Sequence, residues 1–183
     1  ERLMNSYPFE LSGGMQQRVM IAIAVSSNPD LLIADEPTSN LDVTIQAQIL
    51  DLIKKCREET RASVLFITHD FGIVTEMCDR VGVMYAGNMA EIAPLRELLT
   101  NPLHPYTKAL LLSIPTPGKK GEKLHVINGM VPDLLKPPSG CRFHPRCPHA
   151  MDICKTKPPP IIKIGKEHLV SCYLMKNGDT KVE

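Results

Sequence analysis

Apolar residues in the first third of the chain alternate between short continuous runs and helical spacing, which predicts strands and helices in turn. Residues 31–34 and 64–67 are apolar runs of the length expected for buried strands. Between them, four side chains recur at the spacing of one helix face: Ile45, Ile49, Ile53 and Cys56. A strand, a helix and a strand in this order predict parallel pairing with a right-handed crossover.

The flanking sequence extends this pattern. Residues 11–28 predict a helix with Ser12 as its N-cap, and one face of that helix carries Met15, Val19, Ile23 and Ser26. Further short elements are expected downstream: a helix at 71–77, a hairpin at 81–92, and helices at 95–99 and 107–113.

Both predicted strands end in side chains that can carry chemistry. Asp35 and Glu36 follow the first strand directly, and His69 follows the second. Because the carboxyl ends of neighbouring parallel strands lie side by side, we expect these side chains to converge. One carboxylate can then hold Mg²⁺ while its neighbour handles a water. On its own, an ordinary acidic turn explains residues 31–42 equally well.

Ahead of the first strand, Ser12, Gly13 and Gly14 open the predicted helix. Two glycines there leave backbone N–H groups unshielded, the helix dipole favours negative charge, and the serine hydroxyl adds a donor. These features suit a phosphate group. Glycines at a helix start also serve ordinary turns, so this triplet alone is weak support for a phosphate site.

The net charge of +1 conceals two halves of opposite sign. Residues 1–100 carry 8 lysines and arginines against 14 acidic residues, whereas residues 101–183 carry 13 against 6, with 12 of the 16 prolines. We therefore expect a boundary near residue 100, between an α/β domain and a small irregular extension. The basic half could touch anionic lipid or nucleic acid, but an irregular polar region is the simpler interpretation. No apolar run reaches the roughly 18 residues of a membrane-spanning helix.

The order of these motifs resembles the ATP-binding subunits of ABC transporters, which implies a P-loop NTPase-like α/β fold with a parallel sheet. Residues 11–18 (Leu-Ser-Gly-Gly-Met-Gln-Gln-Arg) are similar to the signature motif of that family. Residues 31–36 resemble its Walker B strand, residues 39–42 its D-loop, and His69 its switch histidine.

The resemblance implies a role for each matching residue. Asp35 would support Mg²⁺, Glu36 would act as general base on the attacking water, and His69 would contact the γ-phosphate. Asp42 would work across the interface of an ATPase dimer. Four signature residues would bind ATP held by the opposite subunit: Ser12, Gly13, Gly14 and Gln16. The chemistry is phosphoryl transfer by positioning and charge stabilisation.

One departure from the family pattern is large. The sequence contains no Gly-x-x-x-x-Gly-Lys-Ser/Thr, the Walker A loop that cradles the phosphates. In this family that loop and the Q-loop precede the signature, so we expect the chain to be the C-terminal part of a nucleotide-binding domain. Asn40 also stands where a small residue is usual. The polypeptide alone is therefore expected to bind ATP weakly and not to turn it over.

Four of the six cysteines lie close together in the sequence: Cys141, Cys147, Cys154 and Cys172. An ATPase core implies the cytosol, where clustered thiols suggest a metal site rather than disulfides. The spacings match neither the C-x₂-C pairs of structural zinc sites nor the common ferredoxin runs, so iron–sulfur, zinc and free thiols all stay open from spacing alone. Three histidines are alternative ligands: His144, His149 and His168.

The extension resembles that of oligopeptide, dipeptide and nickel importer ATPases. The similarity lies in residues 101–111 (Asn-Pro-Leu-His-Pro-Tyr-Thr-Lys-Ala-Leu-Leu) and 138–148, followed by Cys154 and residues 168–172. Some members of that group carry a [4Fe–4S] cluster on these four cysteines. The resemblance therefore favours a cluster at Cys141, Cys147, Cys154 and Cys172, with Zn²⁺ as the alternative and a structural cross-link as its task.

The same resemblance implies an ATPase subunit that powers peptide uptake at the cytoplasmic face of the cell membrane. Its partners would be a second ATPase subunit, membrane-spanning permease subunits and, indirectly, an extracytoplasmic peptide-binding protein, with no nucleic acid involved. Two alternatives stay open: an ABC ATPase without a membrane partner, and a metal-binding interaction module with an incomplete ATPase. The extension favours transport, and the presence of Glu36 and His69 argues against a degenerate ATPase.

Overall fold

The computed structural model describes residues 5–114 and 126–177. Contacts divide the chain into two compact units, residues 1–78 and residues 79–183. The change in composition near residue 100 falls inside the second unit, and a functional boundary at that position stays a prediction. Within the described ranges, no helix has both the length and the apolar character needed to cross a membrane.

The first unit contains the predicted strand–helix–strand arrangement. Strands β1 and β2 pair in parallel, with Leu31 opposite Ser63 and Asp35 opposite Ile67, which confirms the expected pairing. The elements of this unit are α1 (Gly13–Val25), β1 (Leu31–Asp35), α2 (Val43–Thr60), β2 (Ser63–Ile67) and α3 (Phe71–Met77).

Close packing between α1, α2 and one face of the sheet forms the core of this unit. Ile21 of α1 and Leu32 of β1 are buried with Ile49 and Ile53, and Ile45 and Cys56 pack against them. The apolar stripe predicted for α2 is therefore confirmed. Gly14 lets the two helices approach, because a Cβ at that position would lie 2.6 Å from Ile45 Cγ2.

Two apolar surfaces of this unit are exposed. The α1 face that carries Met15, Val19 and Ile23 points away from the core, and α1 packs through Ile21 and Val25 instead. On the sheet, alternate side chains are also exposed, namely Leu31, Ile33, Leu65 and Ile67. Apolar residues on both faces are typical of parallel strands that lie between two covering layers.

The second unit is built on an antiparallel sheet with the strand order β3-β4-β6-β5. Its elements are β3 (Arg80–Tyr85), β4 (Asn88–Pro94), α4 (Leu95–Thr100), α5 (Pro105–Leu112), α6 (Asp152–Thr156), β5 (Ile162–Ile164) and β6 (His168–Val170). The predicted hairpin is confirmed, and Ala86 and Gly87 make its turn with positive φ. The extension, expected to be irregular, contributes α6, β5 and β6, and β6 pairs with β4.

A buried carboxylate joins three segments of this second unit. Glu91 on β4 is 1% exposed and accepts hydrogen bonds from the N–H groups of Leu103 and His104 at 2.8 and 2.9 Å. Its Oε1 also lies 2.6 Å from His168 Nε2 on β6. Both carboxylate oxygens are thus paired, as a buried carboxylate requires. The hydrogen bonds hold β4, β6 and the segment entering α5 together.

Candidate functional site

Glu36 and His69 meet at the carboxyl ends of β1 and β2. His69 Nδ1 lies 2.7 Å from Glu36 Oε1, and Ser39 Oγ donates to Glu36 Oε2 at 2.8 Å. The Glu36 N–H donates to the Ile67 carbonyl at 2.9 Å, which extends the sheet by one residue beyond Asp35. Of the three side chains predicted to converge, Glu36 and His69 are therefore in direct contact.

The backbone of Glu36 turns sharply where the strand ends. Its φ of 46° lies in the left-handed region, which is uncommon for a residue with a Cβ. Pro37 then prevents continuation of the strand. Non-glycine residues in this region are enriched at functional sites, where surrounding contacts hold them in place. Here the hydrogen bonds to Ile67, His69 and Ser39 hold the turn.

The contact shifts both groups towards their charged forms. The hydrogen bond with His69, and then that from Ser39, lowers the pKa of Glu36. The hydrogen bond with Glu36 raises the pKa of His69. The His69 side chain is 84% exposed and that of Glu36 39% exposed, so solvent screening keeps the contribution of the pair to stability small. Glu36 is ionised at neutral pH, the form that can accept a proton from water.

The other residues predicted to handle nucleotide occupy separate positions in the first unit. Ser12 is the N-cap of α1, where its Oγ accepts from the Met15 N–H at 3.4 Å. Asp42 is the N-cap of α2 and accepts from the Ile45 N–H at 2.9 Å. Asp35 is exposed at the end of β1. Gly13 lies beside Leu41 and Gly14 beside Ile45. Close packing therefore explains glycine at both positions as well as the approach of a phosphate group does.

Gln16 and Ser39 have contacts that the sequence did not indicate. Gln16 Nε2 donates to the carbonyls of Pro8 and Leu11 at 2.7 and 3.2 Å, which ties α1 to the segment before it. Ser39 lies three residues after Glu36 and holds its carboxylate. A serine three residues after a glutamate, across a turn, is the one sequence signal that could have indicated the contact between Ser39 and Glu36.

The four clustered cysteines line one cavity in the second unit. The cavity wall includes Cys141, Cys147, Cys154 and Cys172, together with His104, His144 and His149. Backbone contacts hold two of the cysteine segments together: the Cys141 N–H donates to the Cys154 carbonyl at 2.8 Å. Gly140 permits this contact, because a Cβ there would lie 2.4 Å from the same carbonyl oxygen.

These thiols surround a space without converging on one point. In the described part of the chain, no three His, Cys, Asp or Glu side chains are arranged to hold a metal ion, although all four cysteines border the same cavity. Burial raises the pKa of Cys141 and Cys147, and raises that of Cys172 to about 11. These three thiols therefore keep their protons at neutral pH unless a cation replaces them.

His104 forms part of the same wall from the start of α5. It is 3% exposed, and its Nδ1 accepts from the Tyr106 N–H at 3.0 Å as the N-cap of the helix. Burial lowers the pKa of His104 to about 4, so the ring is neutral at physiological pH. The ring centroid lies 5.9 Å from that of Phe143, which also packs against Tyr85 and Tyr106.

Two family models match the chain. The ABC transporter model matches residues 1–39, and the model of the oligopeptide/dipeptide transporter C-terminal region matches residues 90–154. The chain belongs to the ATP-binding proteins of ABC transporters. Its residues 90–154 are similar to the C-terminal region of oligopeptide and dipeptide transporters. The α/β fold expected from the sequence is confirmed.

Similar proteins are known from several bacteria. The oligopeptide transport ATP-binding protein AppD of Bacillus subtilis is 53% identical over 174 residues, which cover 95% of this chain and 53% of AppD. The dipeptide transport ATP-binding protein DppD of Caldanaerobacter subterraneus is 47% identical over 178 residues, which cover 97% of this chain and 55% of DppD. The chain thus spans about half the length of the curated relatives it matches.

Two solved structures are also similar to part of the chain. One is a dimeric ATP-binding cassette in a post-hydrolysis state bound to ADP and Pi, with 38% identity, a TM-score of 0.46, and coverage of 52% of this chain and 41% of its own. The other is a metal-chelate type ABC transporter in an inward-facing conformation, with 31% identity and a TM-score of 0.47. The match covers 51% of this chain and 38% of that transporter chain.

Proposed function

We propose that the complete protein is an ATP-hydrolysing subunit that powers the uptake of oligopeptides or dipeptides through an ABC importer. The observation that carries this proposal is the 2.7 Å contact between Glu36 and His69 at the ends of two parallel strands. AppD and DppD, whose names specify oligopeptide and dipeptide transport, share about half of their aligned residues with this chain.

The geometry supports a division of roles around ATP and Mg²⁺, which the family implies. Glu36, ionised and held by His69 and Ser39, orients the attacking water and accepts its proton. His69 uses Nδ1 to hold Glu36, which leaves Nε2 for the γ-phosphate. Asp35, one residue before Glu36, supports Mg²⁺. Each role is a proposal drawn from these positions and from the family motifs.

We propose that the signature residues act on a second subunit. Ser12, Gly13, Gly14 and Gln16 at the start of α1 bind ATP held by the opposite ATPase subunit, and Asp42 acts at the interface of the dimer. The permease subunits anchor this pair at the cytoplasmic face of the membrane, and a separate extracytoplasmic protein delivers the peptide. The apolar face of α1 and the exposed sheet residues are surfaces that further protein must cover.

We propose that the four cysteines hold a [4Fe–4S] cluster. A zinc ion would draw all four sulfurs to about 2.3 Å from one point, whereas each thiolate of a cluster binds a different iron and lies further from the centre. The four cysteines line one shared cavity, which supports a single bound group, and the resemblance of the extension to that of the peptide importers favours the cluster over zinc. When bound, the cluster supplies a cross-link between residues 141–147, α6 and the segment that follows β6.

Uptake of a labelled peptide tests the transport proposal. The complete gene product is expressed with its permease subunits in cells that lack other peptide importers. We expect Glu36→Gln to abolish uptake, while Glu58→Gln, which changes an exposed carboxylate on α2, retains it. Equal uptake by both variants would contradict the proposal. Failure to co-purify with membrane-spanning subunits would instead favour an ABC ATPase without a membrane partner.

A further inference from the structure

A groove with aromatic and apolar walls lies on the second unit, beside the cysteine cavity. Tyr85, Met89 and Phe143 supply much of its apolar lining. The groove has a volume of about 240 Å³, below the roughly 300–1,000 Å³ of sites for drug-sized ligands. It therefore has room for a ligand of the size of an amino acid or a short peptide.

Contacts within the second unit hold the lining of this groove in place. The ring of Phe143 is 2% exposed, and its centroid lies 5.0 Å from that of Tyr85. The hydroxyl of Tyr173 donates to the carbonyl of Pro158, another lining residue, at 2.9 Å. The groove is therefore formed before a ligand arrives, which reduces the entropy lost on binding.

Arg142 is the one charged side chain among the described residues that line the groove. None of these residues is acidic, and burial lowers the pKa of His104, which is also in the lining, to about 4. Arg142 is half-buried and forms no ion pair with a carboxylate in the described part of the chain. The groove thus offers a positive charge beside apolar walls.

The guanidinium of Arg142 lies against the β3–β4 turn, which also borders the groove. Its Nη1 donates to the carbonyl of Ala86, and a Cβ added to Gly87 would lie 3.0 Å from the same nitrogen. Within residues 5–114 and 126–177 this is the hydrogen bond that the side chain makes, so its other N–H groups have no protein acceptor there. A guanidinium pairs with a carboxylate through two parallel hydrogen bonds, which makes a carboxylate the complementary group.

We propose that this groove binds the carboxylate of a small apolar amino acid or of a short apolar peptide, with Arg142 as the anchor. The carboxylate pairs with the guanidinium, and the apolar side chain next to it packs against Tyr85, Met89 and Phe143. Free amino acids and peptides share this chemistry at their C-terminal end, and the experiment distinguishes them. The inference depends neither on the proposed ATP site nor on the proposed cluster.

An NMR titration of the ¹⁵N-labelled full chain tests this site and reports on the fold at the same time. Leucine, the dipeptide Leu-Leu and the C-terminal amide of Leu-Leu are added separately. We expect binding by the carboxylates, with the tighter of leucine and Leu-Leu identifying the source, and binding by the amide that is about ten- to a hundredfold weaker, because a hydrogen-bonded charge is lost. Arg142→Gln should weaken carboxylate binding by about the same factor. The matched control is Arg96→Gln, which changes an exposed arginine on α4 and should bind as the wild type does.

A second variant covers the case in which Arg142→Gln disturbs the turn. Asn88 is an exposed lining residue, and Asn88→Asp keeps its shape while adding a negative charge, so it should weaken carboxylate binding. Asn101→Asp makes the same change at an exposed position outside the lining and should leave it unchanged.

Several results would overturn the inference. These are no binding of leucine or Leu-Leu, equal binding of the amide, and unchanged affinity in a folded Arg142→Gln or in Asn88→Asp. Equal affinity for inorganic phosphate would also overturn it, because an ion without an apolar part makes no use of the aromatic walls.

Discussion

Replacing Gly14 by alanine sets two physical effects against each other. Alanine within a helix is more favourable than glycine by about 0.5–1 kcal/mol. A Cβ at position 14, however, would lie 2.6 Å from Ile45 Cγ2, far inside the roughly 3.5–4.0 Å of an optimal carbon–carbon contact. Relief requires α1 to move away from α2, and overpacking of this kind costs about 1–3 kcal/mol. We expect Gly14→Ala to lower the free energy of unfolding by about 1 kcal/mol.

Urea unfolding followed by far-ultraviolet circular dichroism measures this change. Gly13→Ala is the matched control, because its Cβ would lie 3.3 Å from the flexible end of Leu41 and should cost less. Ile45→Ala removes the methyl group that clashes, so the double variant with Gly14→Ala should be more stable than the sum of the single changes predicts, by about 1 kcal/mol. Additive effects, or stabilisation by Gly14→Ala alone, would refute the close packing of these helices.

Three further predictions concern the two units. First, an NMR titration should place the pKa of His69 above its ordinary value of 6.5, and Glu36→Gln should return it towards that value. Because the pKa of His69 is raised, the pair stabilises the fold at pH values below the pKa of the unfolded histidine and loses this effect as pH rises through the folded pKa. Because the pKa of Glu36 is lowered, its contribution is lost as pH falls through the folded pKa. An unchanged His69 titration in Glu36→Gln would show that the contact is not formed. Second, Glu91→Ala should lower the free energy of unfolding by about 3 kcal/mol, because it leaves buried N–H groups of Leu103 and His104 without an acceptor. The side chain of Glu97 is 57% exposed, so Glu97→Ala should change the free energy of unfolding by about 0.5 kcal/mol or less. Equal effects of the two substitutions would contradict the role of Glu91 in joining the three segments. Third, Ile33→Thr with Leu65→Thr should reduce light scattering by the isolated polypeptide, because both side chains are exposed on the uncovered sheet face; unchanged scattering would show that this face is not the aggregating surface.

The sequence predicted the first unit well where local pattern determines structure. Ile49 and Ile53 recur at the helical period, and α2 buries both of them. The convergence of Glu36 with His69 followed from parallel pairing alone, since neighbouring strands end at the same edge of the sheet. Which face of α1 is buried could not be predicted in the same way. Helical spacing identifies an apolar face but not the element that covers it, and the face with Val19 is exposed.

The second unit was harder to predict because its structure depends on contacts between distant residues. The strands β5 and β6 have three residues each, too few for an alternating pattern to stand out. Glu91 is an ordinary charged residue in the sequence, and its burial depends on His168, 77 positions away. His104 likewise gains its place in the cavity wall from tertiary contacts with Glu91 and Phe143.

The central claim is that Glu36, held by His69, is the general base of an ATP site. ATP hydrolysis by the complete protein with its permease subunits tests it most directly. We predict that Glu36→Gln lowers the rate by about 10²–10⁴-fold, the range of general-base catalysis, while ATP still binds and Glu58→Gln hydrolyses ATP at the normal rate. Hydrolysis by Glu36→Gln at the wild-type rate would contradict the claim.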